Sequence, residues 1–267
     1  MAFVDVGEGV RIHVQDLGKG PAVVLISGFG LDHELWDRQV RVLTEHGLRV
    51  LCVDQRGHGF SDNPLHGYDV DRLAADLVTA LGRLDVGTAT VVGHSFGGQV
   101  AFRAAATSPE LVTGLVLVGS NGVRASRSAD FPFGGPPGPL LEGMQADEHV
   151  NRVGARYRTI TSAFAHEPDP RTADWLVRCS LRMPSWAATA CYRSLLTTDL
   201  LADIPRVVQP VLQIIGTRDP VHSAKGAQWL QERLPDATLM ELPDCGHYPM
   251  LEAPDAFESA LLKFVSA

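Results

Sequence analysis

Hydrophobic and polar positions along this chain fall into two rhythms that alternate. Phe3–Val6 and Val10–Gln15 switch between apolar and polar residues around Gly7-Glu8-Gly9, which predicts an antiparallel hairpin at a sheet edge. Ala22-Val23-Val24-Leu25-Ile26 is unbroken apolar, the pattern of a strand buried on both faces. Arg49–Val53, Thr88–Val92, Leu115–Val118, Val211–Ile215 and Ala237–Leu242 read as further strands. Between them the spacing turns helical. Trp36–Leu43 is one such stretch, stopped at Gly47, and Val70–Leu84 is another, with Leu73, Leu77, Ala80, Leu81 and Leu84 on one stripe. Ser95 to about Thr107, Ala224–Leu234 and Pro254–Val265 complete the set.

Strands that alternate with helices imply an α/β fold, a mostly parallel sheet with helices on both faces. The alternation breaks from Asn121 to about Leu200. Phe131–Pro139 clusters proline and glycine and predicts no regular structure, and amphipathic patches follow at Val150–Phe164, Thr172–Leu181 and Ala187–Leu196. Residues 1–120 and 201–267 therefore read as one core domain, and 121–200 as a helical cap or lid inserted into it. Function in such sheets gathers at the carboxyl ends of the strands. The loops to watch are Ser27–Gly30, Asp54–Ser61, Gly93–Gly97, Gly216–Val221 and Pro243–Tyr248.

Composition narrows the classes. A net charge of -8 with no basic run argues against a nucleic-acid partner. Cys52, Cys179, Cys191 and Cys245 are scattered, with no metal-ligand spacing, so neither a metal nor a disulfide frame is expected. Cys52 reads as a small core residue and Cys245 as loop packing. The reading predicts no signal peptide, no membrane span and a cytoplasmic location.

The candidate chemistry centres on Gly93-His94-Ser95-Phe96-Gly97-Gly98, set between a strand and a helix. A Gly-x-Ser-x-Gly sequence in that context forms a turn so tight that its central residue takes a strained, positive-φ backbone and lifts its hydroxyl clear of the sheet. The same letters also suit a plain Gly-rich turn. A serine needs an adjacent base and the base needs a carboxylate to orient it. Two later strand-end loops offer these, with Asp219 in one and His247 in the other. The Asp219-Pro220 pair also fits an ordinary turn, and Asp199 and Asp203 are rival acids. Ser120-Asn121, after an earlier strand, supplies no carboxylate. His94 reads as packing within the turn, Arg56 and His58 as structural, and His222 as a solvent-exposed residue at a helix start.

Four motifs in order give the chain its resemblance to the α/β-hydrolases. They are Ser27-Gly28-Phe29-Gly30, Asp54-x-Arg56-Gly57-His58-Gly59-x-Ser61, Gly93-His94-Ser95-Phe96-Gly97-Gly98, and Gly246-His247 preceded by Asp219. The resemblance runs from about Val10 to the C-terminus and implies an eight-stranded type of sheet. It makes Ser95 the nucleophile, Asp219 the orienting acid and His247 the base, with no cofactor. It implies an oxyanion hole from the backbone N–H groups of Phe29 and Phe96, with both side chains lining the acyl pocket. Ser27 departs from the family's usual histidine. Phe29, Trp36, His94, Phe131, Phe133, Trp186 and Tyr248 are the candidate pocket residues.

By the same resemblance, a serine at the elbow excludes the dehalogenases and epoxide hydrolases of this fold, which use aspartate. Serine esterases, enol-lactonases and cofactor-free haloperoxidases remain. The expected activity is hydrolysis of a small, largely apolar ester or lactone. Acyl transfer or perhydrolysis by the same residues is the alternative, and a catalytically dead scaffold a third reading.

Overall fold

The computed structural model describes residues 2–266. They form an eight-stranded sheet in the order β1-β2-β4-β3-β5-β6-β7-β8. The strands are β1 (Ala2–Asp5), β2 (Arg11–Leu17), β3 (Ala22–Ile26), β4 (Arg49–Val53), β5 (Ala89–His94), β6 (Val112–Val118), β7 (Val211–Gly216) and β8 (Ala237–Leu242). β1 pairs antiparallel with β2, with Asp5 opposite Arg11, and β2 pairs antiparallel with β4. Every other pairing, from β4 through β8, is parallel.

The unbroken apolar runs exist because both faces of the central strands are covered. Side chains alternate across a strand, so one run feeds two cores. Val24 and Ile26 of β3 pack with Leu73 and Leu77 of α2 (Val70–Arg83) and with Val100 and Phe102 of α3 (Phe96–Thr107). Val23 and Leu25 belong to the opposite core, with Leu43 of α1 (Asp37–Glu45) and Phe257 and Leu261 of α9 (Pro254–Val265). α7 (Ala224–Gln231) and the short α8 (Pro249–Glu252) complete the helices that follow β7.

Three α-helices, α4 (Pro137–Thr161), α5 (Pro170–Ser180) and α6 (Ser185–Thr197), occupy the segment between β6 and β7, followed by a 3-10 turn at Leu201–Arg206. Pro137–Pro139, predicted to be irregular, form the first turn of α4. A proline at the start of a helix lacks only an N–H that has no partner there, and its φ already suits the helix. α4 breaks at Asn151 (φ -152°), whose side chain accepts from the Gly154 N–H at 2.9 Å and caps the second half.

Two buried networks brace the loops near the sheet. The Arg56 guanidinium, fully buried, grips Asp76 of α2 with bonds of 2.7 and 3.0 Å. Asp54 accepts from the His13 and His33 rings and from the backbone N–H groups of His33 and Phe60. Burial alone would raise the Asp54 carboxyl, but these donors hold it at about 2. His13, His33 and Asp54 lie close enough to share a metal ion, but they are already joined to each other as a hydrogen-bond network. The four cysteines are unpaired and buried. No described helix is long and apolar enough to cross a membrane.

Candidate active site

β5 ends at His94 and α3 begins at Phe96, so Ser95 alone makes the turn, at φ 53° and ψ -119°. A side chain on Gly93 would collide with the carbonyl of Gly97, which is why the turn needs glycine there. The Ser95 backbone is held on three sides. Its N–H donates to Val118 O at 2.9 Å, and its carbonyl accepts from the Gly98 N–H at 2.9 Å and the Ser120 hydroxyl at 2.8 Å. Gly28, in the loop after β3, approaches so closely that a Cβ there would lie 2.8 Å from Ser95 Cβ. That loop is fixed by the Ser27 hydroxyl, which donates to Asp32 O at 2.7 Å, and by Gln55 Nε2, which donates to Ser27 O at 3.0 Å. Ser27 thus holds its loop without the histidine.

The loops after β7 and β8 bring Asp219 and His247 together. His247 Nδ1 lies 2.9 Å from Asp219 Oδ2, and that carboxylate is fully buried. An ionised carboxylate only accepts, so the imidazole carries its proton on Nδ1 and leaves Nε2 with a lone pair. Asp219 Oδ1 accepts from the N–H groups of Val221 and His222 at 2.7 and 3.0 Å. Burial pushes the Asp219 carboxyl up, but His247 and these donors outweigh it and hold it below its ordinary value.

Two buried imidazoles flank His247. The His94 ring lies 4.8 Å away and its Nε2–H donates to His247 O at 3.0 Å. The His222 ring stacks nearly parallel at 5.7 Å. Burial, then the nearby His247, pushes His94 well down, and burial takes His222 to about 4. Both are neutral at pH 7. His222 was expected at a solvent-exposed helix start; it is 1% exposed, because its backbone is drawn in by Asp219 and its Nδ1 accepts from the Asn121 N–H.

A small cavity opens over this cluster, and both Ser95 and His247 line it. The profile of the alpha/beta hydrolase family matches residues 23–260. The chain belongs to the alpha/beta hydrolase family. It is 36% identical over 255 residues to the pimeloyl-[acyl-carrier protein] methyl ester esterase of Nitrosomonas europaea, covering 93% of this chain and 97% of that one. It is 32% identical over 278 residues to the non-heme chloroperoxidase of Streptomyces lividans, across 100% of each. The structure of an esterase from Exiguobacterium antarcticum superposes with a TM-score of 0.96 at 25% identity, covering 99% of both chains.

Of the other pocket candidates in this hydrolase, Phe29, His94 and Tyr248 line the cavity. Four do not. Trp36 is fully buried and stacks on Phe257. Phe131 meets Trp229 and Phe133 edge-on within the core between the sheet and α7. Trp186 is 49% exposed and its Nε1–H donates to Pro64 O at 3.2 Å. The Phe96 side chain, also expected on the pocket, turns into the core, since the first turn of α3 faces the sheet. The wall comes instead from residues the sequence reading passed over. Arg156, Thr159, Ile160 and Ala163 line it from the second half of α4 and just beyond. Their spacing of three and four residues marks one helix face, a signal that was present in the sequence. Leu31, Met144, Leu195 and Val221 add apolar surface.

Proposed function

We propose that this hydrolase cleaves carboxylic esters or lactones with small, largely apolar acyl groups, using Ser95, His247 and Asp219 as a catalytic triad beneath a lid formed by residues 121–200. The observation that carries the reading is the buried His247–Asp219 pair opening onto the same cavity as the strained Ser95. With Nδ1–H turned to Asp219, the His247 Nε2 lone pair is left free to take the serine proton. Ser95 Oγ then bonds to the carbonyl carbon, and the carbonyl π electrons move onto oxygen. The backbone N–H groups of Phe29 and Phe96 receive that negative charge. Collapse expels the alcohol, which takes the proton from His247, and leaves an acyl-enzyme. Water, deprotonated by the same imidazole, attacks it and releases the acid. Asp219 stays ionised throughout and stabilises the imidazolium.

The walls support the substrate class. They are mostly apolar, and the one guanidinium among them, Arg156, is neutralised by Glu148. A relative named as a methyl ester esterase agrees with this chemistry. The similarity to a chloroperoxidase favours a second use of the same acyl-enzyme, with hydrogen peroxide in place of water as acceptor and a peracid as product. Ser95→Ala should lower ester turnover by about 10³-fold or more while leaving the fold intact. Wild-type turnover in that variant would refute the assignment. Adding peroxide to an ester assay and measuring the ratio of peracid to acid separates the two acceptors.

A further inference from the structure

The Phe29 ring is packed on by two of the helices between β6 and β7. Tyr192 of α6 stacks on it, with ring centroids 4.1 Å apart and planes 24° apart. The Arg156 guanidinium of α4 lies over the ring, 5.1 Å from its centre. A guanidinium over an aromatic face is attracted by the ring's negative surface, most strongly where water is excluded.

Arg156 is itself immobilised. It is fully buried, and its Nε and Nη2 donate to the two oxygens of Glu148, also fully buried, at 2.8 and 2.9 Å. Its Nη1 donates to Ser180 O at 2.7 Å and Ser180 Oγ at 2.8 Å at the end of α5. Glu148 also accepts from the Ser185 hydroxyl, at the start of α6. One ion pair therefore gathers α4, α5 and α6 at the Phe29 ring. The next residue, Gly30, is pressed so close that a Cβ there would meet Ser180 Oγ at 2.7 Å. Four of the five guanidinium N–H groups are thus spent within the protein, which leaves Arg156 poorly suited to hold a substrate anion.

We propose that Arg156 is a positioning residue, acting through the Phe29 ring to fix the backbone N–H of Phe29 where the oxyanion forms. The proposal rests on the reading that this N–H is an oxyanion donor. Arg156 then governs how well the transition state is held, rather than how tightly the substrate binds. It also makes the geometry of the oxyanion loop depend on how α4, α5 and α6 are packed.

Removing Arg156 alone would strip the buried Glu148 of both guanidinium bonds and leave it only the Ser185 hydroxyl and Arg152, whose Nε is 3.7 Å away. The probe is therefore the pair Glu148→Gln with Arg156→Met, which removes both charges of the pair and keeps bulk. Loss of one oxyanion donor costs about 10²–10³ in kcat, so a loosened donor should cost about tenfold or more, with KM within about threefold. Affinity for a trifluoromethyl ketone analogue should fall by the same factor as kcat/KM. Arg156→Lys should not restore the rate, because an ammonium cannot lie flat over the ring while bridging Glu148 and Ser180. Phe29→Leu should lose as much, and combining it with the pair should lose no more. Tyr192→Leu removes the ring stacked on Phe29 and should give the same KM-neutral loss if the charge pair proves necessary for folding. Wild-type kcat in the folded pair variant or in Tyr192→Leu, or additive losses with Phe29→Leu, would overturn the proposal. Turnover that survives in Ser95→Ala would sink the underlying site reading instead, and the proposal with it.

Discussion

Replacing Gly28 by alanine adds one methyl group at a close approach between two strand-end loops. Its Cβ would lie 2.8 Å from Ser95 Cβ and 2.9 Å from His94 Nδ1, where ordinary contact begins at 3.4 Å. Something must move by about 0.6 Å. Ser95 is poorly placed to give way, because three hydrogen bonds hold its backbone. His94 is tied to His247 O. The loop from Ser27 to Gly30 therefore shifts, and it carries the Phe29 N–H with it. A misplacement of 1 Å can cost about 10²-fold in rate, so this shift should cost about tenfold in kcat/KM, or about 1.4 kcal/mol of transition-state stabilisation. Overpacking should lower stability by about 1–3 kcal/mol. Steady-state hydrolysis of p-nitrophenyl butyrate, run beside a thermal melt, measures both. A folded Gly28→Ala enzyme with kcat/KM within twofold of wild type would show that the loop tolerates the shift and that its position matters little.

Other substitutions probe the scaffold. Gly82, exposed within α2, has no neighbouring atom within 4 Å of where a Cβ would sit, so Gly82→Ala should stabilise the protein by about 0.5–1 kcal/mol. A urea midpoint lower than wild type would contradict that. Stability should also fall with acid. Burial pushes His58 and His222 down to about 4 from the ordinary 6.5. Between those values the unfolded chain binds more protons than the folded one, so stability rises with pH across the window and is lost as pH falls through it. The effect is on the order of 3 kcal/mol for each histidine. Urea unfolding at pH 7 and 4.5 measures it, and His58→Gln should flatten the slope. Equal stability at the two pH values would mean that these rings are not buried neutral.

The central strands are legible in the sequence because burial on both faces leaves no polar position in runs such as Ala22–Ile26. The turn at Ser95 is legible because steric crowding at Gly93 admits only glycine. The pocket is harder to read. Phe131 lies in a proline- and glycine-rich run with no rhythm to say which way it faces, and Trp186 sits just outside the amphipathic patch at Ala187–Leu196, whose spacing does not fix its direction. They pack instead on α7 and against Pro64. His222 follows Asp219 by three residues, and its burial depends on how that carboxylate draws the loop inward, a tertiary effect with no local signature. Arg156 was the more available omission. A charged residue reads as solvated until its partner is known, and Glu148 lies eight residues away, across the break at Asn151.

All four thiols are sealed inside this protein, and burial drives each of them up, Cys245 to about 12. The native chain should therefore be silent toward maleimides at neutral pH. A single cysteine introduced at Val150, which is 83% exposed beside the break in α4, would then be the sole handle for a fluorophore or spin label. The wild-type background needs no cysteine removed first, so the movement of that helix during turnover can be followed in an otherwise unaltered enzyme.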